Sequence, residues 1–282
     1  MKEGTFWEHL EELRWTIIRV FIVALVLTVV IFSFKDFVFN NIIFAPCDGN
    51  FVTYRILCNL GDMLRMPKIC PNIESISIIN INLSAQLMVH LSTAFYIALI
   101  VSFPYIVIEL WLYVSPALYV NEKKPAIKGA ISFVILFFTG VLLAYYLIFP
   151  LTLNFLGNYQ VSDAVPNQIS LNSYISTFNT LLFMMGLVFE MPVVGYFFGK
   201  IGVLQAGFLK QYRNVAVVVV LVMAALITPS TDIFTMMIVA LPLMLLYELT
   251  IAVVKSVNKK RGRLKSNFWS VFFLFVRFLF GC

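Results

Sequence analysis

Only two histidines and four cysteines occur in the 282 residues, and only 12% of the residues are charged. The cysteines, Cys47, Cys58, Cys70 and Cys282, match no C-x-x-C zinc or redox spacing and read as free or lightly used thiols. His9 and His90 fall short of the axial ligands of a two-haem cytochrome of the b type; even one bis-His site would need both on facing helices. The 13 glycines are scattered, with no G-x-x-x-x-G-K-[ST] loop to hold nucleotide phosphates. Basic residues are not interleaved with aromatics as in a nucleic-acid-binding module, so no nucleic-acid partner is expected. No aspartate falls inside an apolar run and His90 has no motif-matched serine, which argues against an intramembrane protease. No cofactor and no metal site are expected, and the chain reads as a non-enzyme.

What the chain does have is apolar surface, at 61% hydrophobic residues. A soluble domain carries about 25% charged and about 45–50% apolar residues. A water-soluble fold of this size has nowhere to hide the excess, and lipid removes the problem. The expected class is an all-α polytopic membrane protein with six transmembrane helices. The apolar runs are Trp15–Phe34, Leu83–Leu110, Ala126–Phe149, Tyr174–Phe198, Asn214–Ile227 and Ile233–Val254. Pro150 is expected to end the third, and Glu190 with Pro192 interrupts the fourth. The fifth is short: it reaches about 21 Å if helical, against a hydrocarbon core of about 30 Å. A long polar stretch, Lys35–Asn82, separates the first two runs, and a polar stretch without Lys or Arg, Leu151–Ser173, follows the third.

Lysine and arginine placement gives the topology. Lys123 and Lys124 follow the second run, Lys200, Lys210 and Arg213 follow the fourth, and Lys255, Lys259, Lys260, Arg261, Arg263 and Lys265 follow the sixth. The loops after the third and fifth runs hold none. Both termini are therefore expected on the cytoplasmic side, or the matrix side of an organelle. The chain divides into a six-helix domain over 1–254 and a tail over 255–282, basic at first and then apolar. That apolar end, Phe268–Cys282, is too short to span and suits an interfacial helix. The first fourteen residues, with four glutamates, resemble neither a signal peptide nor a transit peptide. Insertion by the chain's own helices is expected, in a bacterium or inside an organelle. The 28 phenylalanines, with abundant Ile, Asn and Tyr, suggest a very AT-rich gene. That usage favours an organelle-encoded protein of the mitochondrial inner membrane over a bacterial plasma membrane or a thylakoid.

Four motifs fall in order along these runs. His9-Leu10-Glu11-Glu12-Leu13-Arg14 precedes the first. Trp111-Leu112-Tyr113-Val114-Ser115-Pro116-Ala117-Leu118-Tyr119, with Glu122-Lys123-Lys124, follows the second. Phe189-Glu190-Met191-Pro192 lies in the fourth, and Thr228-Pro229-Ser230-Thr231-Asp232 precedes the sixth. Together with Ala45-Pro46 and Phe149-Pro150, these resemble the TatC family, the multi-span subunit of the twin-arginine protein translocase. Tyr113 stands where the family usually has Phe, the first outer loop is longer and carries cysteines, and the apolar tail has no recognised counterpart.

The resemblance implies a receptor for signal peptides bearing two adjacent arginines. It also implies TatA- and TatB-type single-span partners, a homo-oligomer within a larger complex, and transport of folded proteins driven by the proton-motive force. Glu12 and Glu122 stand at the family's arginine-binding positions, with Leu10, Arg14, Tyr113 and Pro116 beside them. A carboxylate accepts paired hydrogen bonds from a guanidinium. Local pairing is the ordinary alternative, Glu12 with Arg14 or Arg19 and Glu122 with Lys123 or Lys124. Glu190, mid-run, carries the cost of an acid in lipid and is expected to face a cavity or a partner helix. Glu248 is a weaker case of the same kind, and Glu109 is expected at the interface. Pro46, Pro150 and Pro192 are expected to shape the backbone, and Asp232 to cap the sixth helix. The competing reading is a proton-coupled solute transporter with Glu190 and Glu248 as relay.

Overall fold

The fold is taken from a computed structural model that describes residues 6–63, 78–114, 120–159, 162, 168–228 and 232–261. The apolar runs become helices because each satisfies its own backbone, the condition lipid imposes. In chain order these are α1 (Phe6–Ser33), α2 (Lys35–Phe37), α3 (Val52–Met63), α4 (Ala85–Val114), α5 (Val120–Leu143), α6 (Phe149–Asn158), α7 (Leu171–Val188), α8 (Met191–Ile201), α9 (Ala206–Gln211), α10 (Arg213–Ile227) and α11 (Ile233–Arg261). A two-residue parallel ladder pairs β1 (Ile78–Ile79) with β2 (Ile169–Ser170). Five helical stretches are long and apolar enough to cross a bilayer: Leu10–Ser33, Ala85–Tyr113, Gly129–Asn158, Leu171–Ile201 and Ile233–Lys259. Arg213–Ile227 is the shorter apolar helix among the described residues. The protein is an all-α integral membrane protein.

Two expectations are corrected. Pro150 does not end the third helix. A π-helical turn, Ala144–Ile148, leads from α5 into α6, and the helix runs on to Asn158. A proline removes the donor that would serve the carbonyl four residues earlier, here that of Tyr146. Thr53 Oγ1 donates to that carbonyl instead, so the freed acceptor is not left bare. The first half of Lys35–Asn82 is likewise no plain loop. It folds into α2, a π-helical turn Val38–Ile43, a 3-10 turn Ala45–Cys47 and α3.

This segment is a cap held by tyrosines. Tyr54 donates to the carbonyls of Pro46 at 3.1 Å and Pro150 at 3.3 Å. Tyr145 donates to Ile42 O at 2.9 Å and Tyr174 to Ile43 O at 2.6 Å. Cys47 donates its thiol to Tyr174 Oη at 3.3 Å. Burial pushes the Cys47 thiol above its ordinary value, and the hydrogen bond to Tyr174 offsets only part of that. Burial raises the Tyr54 hydroxyl as well.

Glycines let the helices approach. A Cβ on Gly186 of α7 would lie 2.7 Å from the Phe137 ring of α5, and one on Gly140 would lie 2.7 Å from Met185 O. A Cβ on Gly195 of α8 would lie 2.5 Å from the Thr250 side chain of α11, and Gly199 faces Val254 of the same helix. In membranes such small residues replace the hydrophobic drive that lipid cancels. The core fills in around Phe103 stacked on Phe137, with ring centroids 3.6 Å apart.

Candidate functional site

α1 and α4 run antiparallel. Near one end Arg19 meets Glu109, and near the other Phe32 stacks on His90 with centroids 3.9 Å apart. This places the start of α1, the end of α4 and the start of α5 at one end of the bundle. Leu10, Glu12 and Arg14 are exposed on the first turns of α1. Tyr113 is half-buried at the end of α4. Glu122 has its backbone in the first turn of α5, and Pro116 lies outside the described residues. The segments bearing the two acids expected to bind arginine thus share one end.

An ion pair stands behind them. Arg19 Nη2 lies 3.1 Å from Glu109 Oε2. Tyr105 donates to Glu109 Oε1 at 2.7 Å, and Arg19 also donates to Thr16 Oγ1 at 3.3 Å. Glu109, near the end of α4, is buried against its neighbours. Its partner was within reach of sequence reasoning only as an apolar-run arginine of unknown direction.

Glu190 occupies the break between α7 and α8. Its backbone caps α8, with Pro192 in the first turn, where a missing N–H costs nothing. The residue is only 7% exposed, and neither carboxyl oxygen has a hydrogen-bond partner among the described residues. Phe189 beside it packs into the notch left by Gly140. A second polar pair sits deeper along α7, where Asn179 donates to Thr93 Oγ1 at 3.3 Å.

Glu248 has a different setting. It pairs with Arg213 at the start of α10, and both side chains are well exposed. The adjoining Tyr247 hydroxyl donates to Leu209 O at 2.7 Å, fastening α11 to α9. Asp232 accepts from the Thr235 N–H at 2.7 Å, closing the first turn of α11. Among the described residues no three His, Cys, Asp or Glu side chains gather in a way that would hold a metal.

A family model for the Sec-independent protein translocase protein (TatC) matches residues 8–242. The chain belongs to the TatC family. The TatC of Blattabacterium sp. subsp. Periplaneta americana (strain BPLAN) is 34% identical over 265 residues, covering 92% of this chain and 98% of that protein. The TatC of Koribacter versatilis (strain Ellin345) is 30% identical over 263 residues, covering 93% and 89%. A crystal structure of the twin arginine translocase receptor TatC superposes with a TM-score of 0.67 at 29% identity, over 89% of this chain and 99% of that one. TatC is a component of a protein translocase, in a transport family that is not enzymatic. These relatives are bacterial, so the mitochondrial preference drawn from residue usage has no support and a bacterial membrane fits equally.

Sequence reasoning found the TatC motifs but missed what lies between them. The cap tyrosines gave no periodic signal. Arg213 was read as a marker of topology, although Glu248 is its partner.

Proposed function

We propose that this TatC protein is the receptor core of a twin-arginine translocase. It binds signal peptides carrying two adjacent arginines at Glu12 and Glu122, with both termini in the cytoplasm and six spans. The observation that carries the reading is the antiparallel seating of α1 on α4. It brings exposed Glu12, with Leu10 and Arg14, to the same end as Tyr113 and the backbone of Glu122. Cys58 supports the orientation. It is disulfide-bonded and lies in α3, in the cap at the opposite end. Disulfides persist in oxidising compartments, which favours placing the cap outside. The basic residues of α8 to α11 then face the cytoplasm, as the positive-inside rule asks.

Crosslinking a twin-arginine peptide to the protein in membranes tests the reading. Glu12→Ala and Glu122→Ala each weaken the crosslink, and a peptide with two lysines binds poorly even to the unaltered protein. Lysine cannot make the planar paired contact. Full binding by both variants refutes the docking site.

Glu190 serves a second site, buried at the break between α7 and α8. Its unpartnered carboxyl group suits a polar residue on a single-span helix of the TatA or TatB type, recruited beside the peptide. The relay reading draws on the same observation, since an unpartnered acid inside a span is also what a proton carrier needs. Glu190→Gln keeps a hydrogen-bonding group and retains partner co-purification and some transport, whereas Glu190→Leu loses the partner. Equal loss of transport in both, with the partner still bound, favours the relay.

A further inference from the structure

α1 is poorly anchored. Only 11% of its most apolar stretch is buried, and α4 is the helix it packs on. Trp15, Ile17, Phe21, Ile22 and Leu25 are exposed, so most of its surface faces lipid. In lipid an apolar face gives no preference for one rotation of the helix over another. Something polar must set the angle at which α1 presents its first turns.

Arg19 and Glu109 have the geometry for that. Glu12 and Arg19 are seven residues apart, about 20° short of two full turns, so they share one flank of α1 about 10 Å apart along the axis. Thr16 sits between them on the same side and is buried at 3% exposure. Arg19 Nη2 touches Thr16 on its own helix and Glu109 on α4. Glu109 is held in turn by Tyr105, one turn earlier on α4. The carboxylate is therefore fixed before Arg19 reaches it. Pulling Arg19 onto Glu109 turns the Glu12 flank toward the α4 side, from which the chain passes directly into α5.

We propose that Arg19 and Glu109, backed by Tyr105, are positioning residues that set the rotation of α1 on α4 and so the separation of Glu12 from the start of α5. The pair touches no peptide; it acts through Glu12. As a specificity device for twin arginine, this rests on the receptor reading above. As a statement about helix rotation, it does not.

The test keeps the two apart. Spin labels go at Ile17 on α1 and Ile127 on α5, both exposed, with every free cysteine changed to serine. Their distance distribution is read in vesicles without peptide, and twin-arginine peptide crosslinking is read in parallel. Arg19→Gln and Glu109→Gln each broaden the distribution and lower crosslinking roughly tenfold, the equivalent of about 1.4 kcal/mol. The exchanged pair, Arg19→Glu with Glu109→Arg, narrows the distribution again and recovers most of the crosslinking. A merely structural contact lowers thermal stability in the single variants without broadening the distribution. Distances as narrow as in the unaltered protein, or no recovery in the exchanged pair, overturn the proposal. If the unaltered protein fails to crosslink the peptide at all, the receptor reading falls, and the distances still decide the rotation.

Discussion

The two ends of the bundle are fastened by different chemistry. At the cap end, neutral hydroxyls of Thr53, Tyr54, Tyr145 and Tyr174 donate to backbone carbonyls. At the other end, Arg19–Glu109 and Arg213–Glu248 join helices through charge. Neutral bonds to buried carbonyls barely respond to ionic strength, whereas an exposed ion pair such as Arg213–Glu248 is screened. The contrast fits a cap that stays closed and, on the receptor reading proposed above, an opposite end that meets charged signal peptides. A guanidinium-binding surface gains from neighbours that already hold arginine and carboxylate at set distances, because less remains to be ordered on binding.

The largest expected effect comes from breaking the cap. Tyr174 is 2% exposed and packs edge-on against Phe149, besides donating to Ile43. Tyr174→Ala removes a buried aromatic side chain and costs about 3–5 kcal/mol, read as thermal unfolding in detergent. A loss below about 1 kcal/mol there means the cap is not a fastening, since it falls outside the range for such a deletion. Next is Tyr54→Phe, which keeps the ring and strips one donor from two buried carbonyls, Pro46 O and Pro150 O. The expected cost is about 1–3 kcal/mol, the same at low and high salt. The smallest effect belongs to Glu248→Gln. With both partners exposed, that pair contributes about 0–1 kcal/mol, and whatever it contributes shrinks as salt is added. A salt-dependent loss in Tyr54→Phe, or a large salt-independent loss in Glu248→Gln, would erase the distinction between the ends.

The apolar runs gave the long helices because length and lipid exposure are written in one dimension. The break at Glu190 was legible for the same reason: an acid followed by a proline interrupts the pattern locally. Pro150 misled because its permission to stay inside a helix comes from Thr53, far away in sequence. The cap helices hid in a stretch of mixed polarity, where hydrophobic period says little and the stabilising contacts are tyrosine hydroxyls to distant carbonyls. At the candidate site, the acids of the two motifs could be named from resemblance. Arg19 and Glu109 could be placed by depth only, because sequence does not give the direction in which a side chain leaves a lipid-facing helix. Their pairing is a fact of helix rotation.

The Cys47 thiol has one further consequence. It sits in the same cap as the disulfide-bonded Cys58 and is free. Thiol–disulfide exchange begins with attack by a thiolate, so its rate follows the fraction deprotonated. Burial holds Cys47 in its protonated form above the ordinary 9.0, and its hydrogen is already engaged by Tyr174. Near neutral pH Cys47 is therefore a poor nucleophile toward a disulfide. The cap thus carries one bonded sulfur and one reduced sulfur. Burial keeps the Cys47 thiol less nucleophilic than an ordinary one.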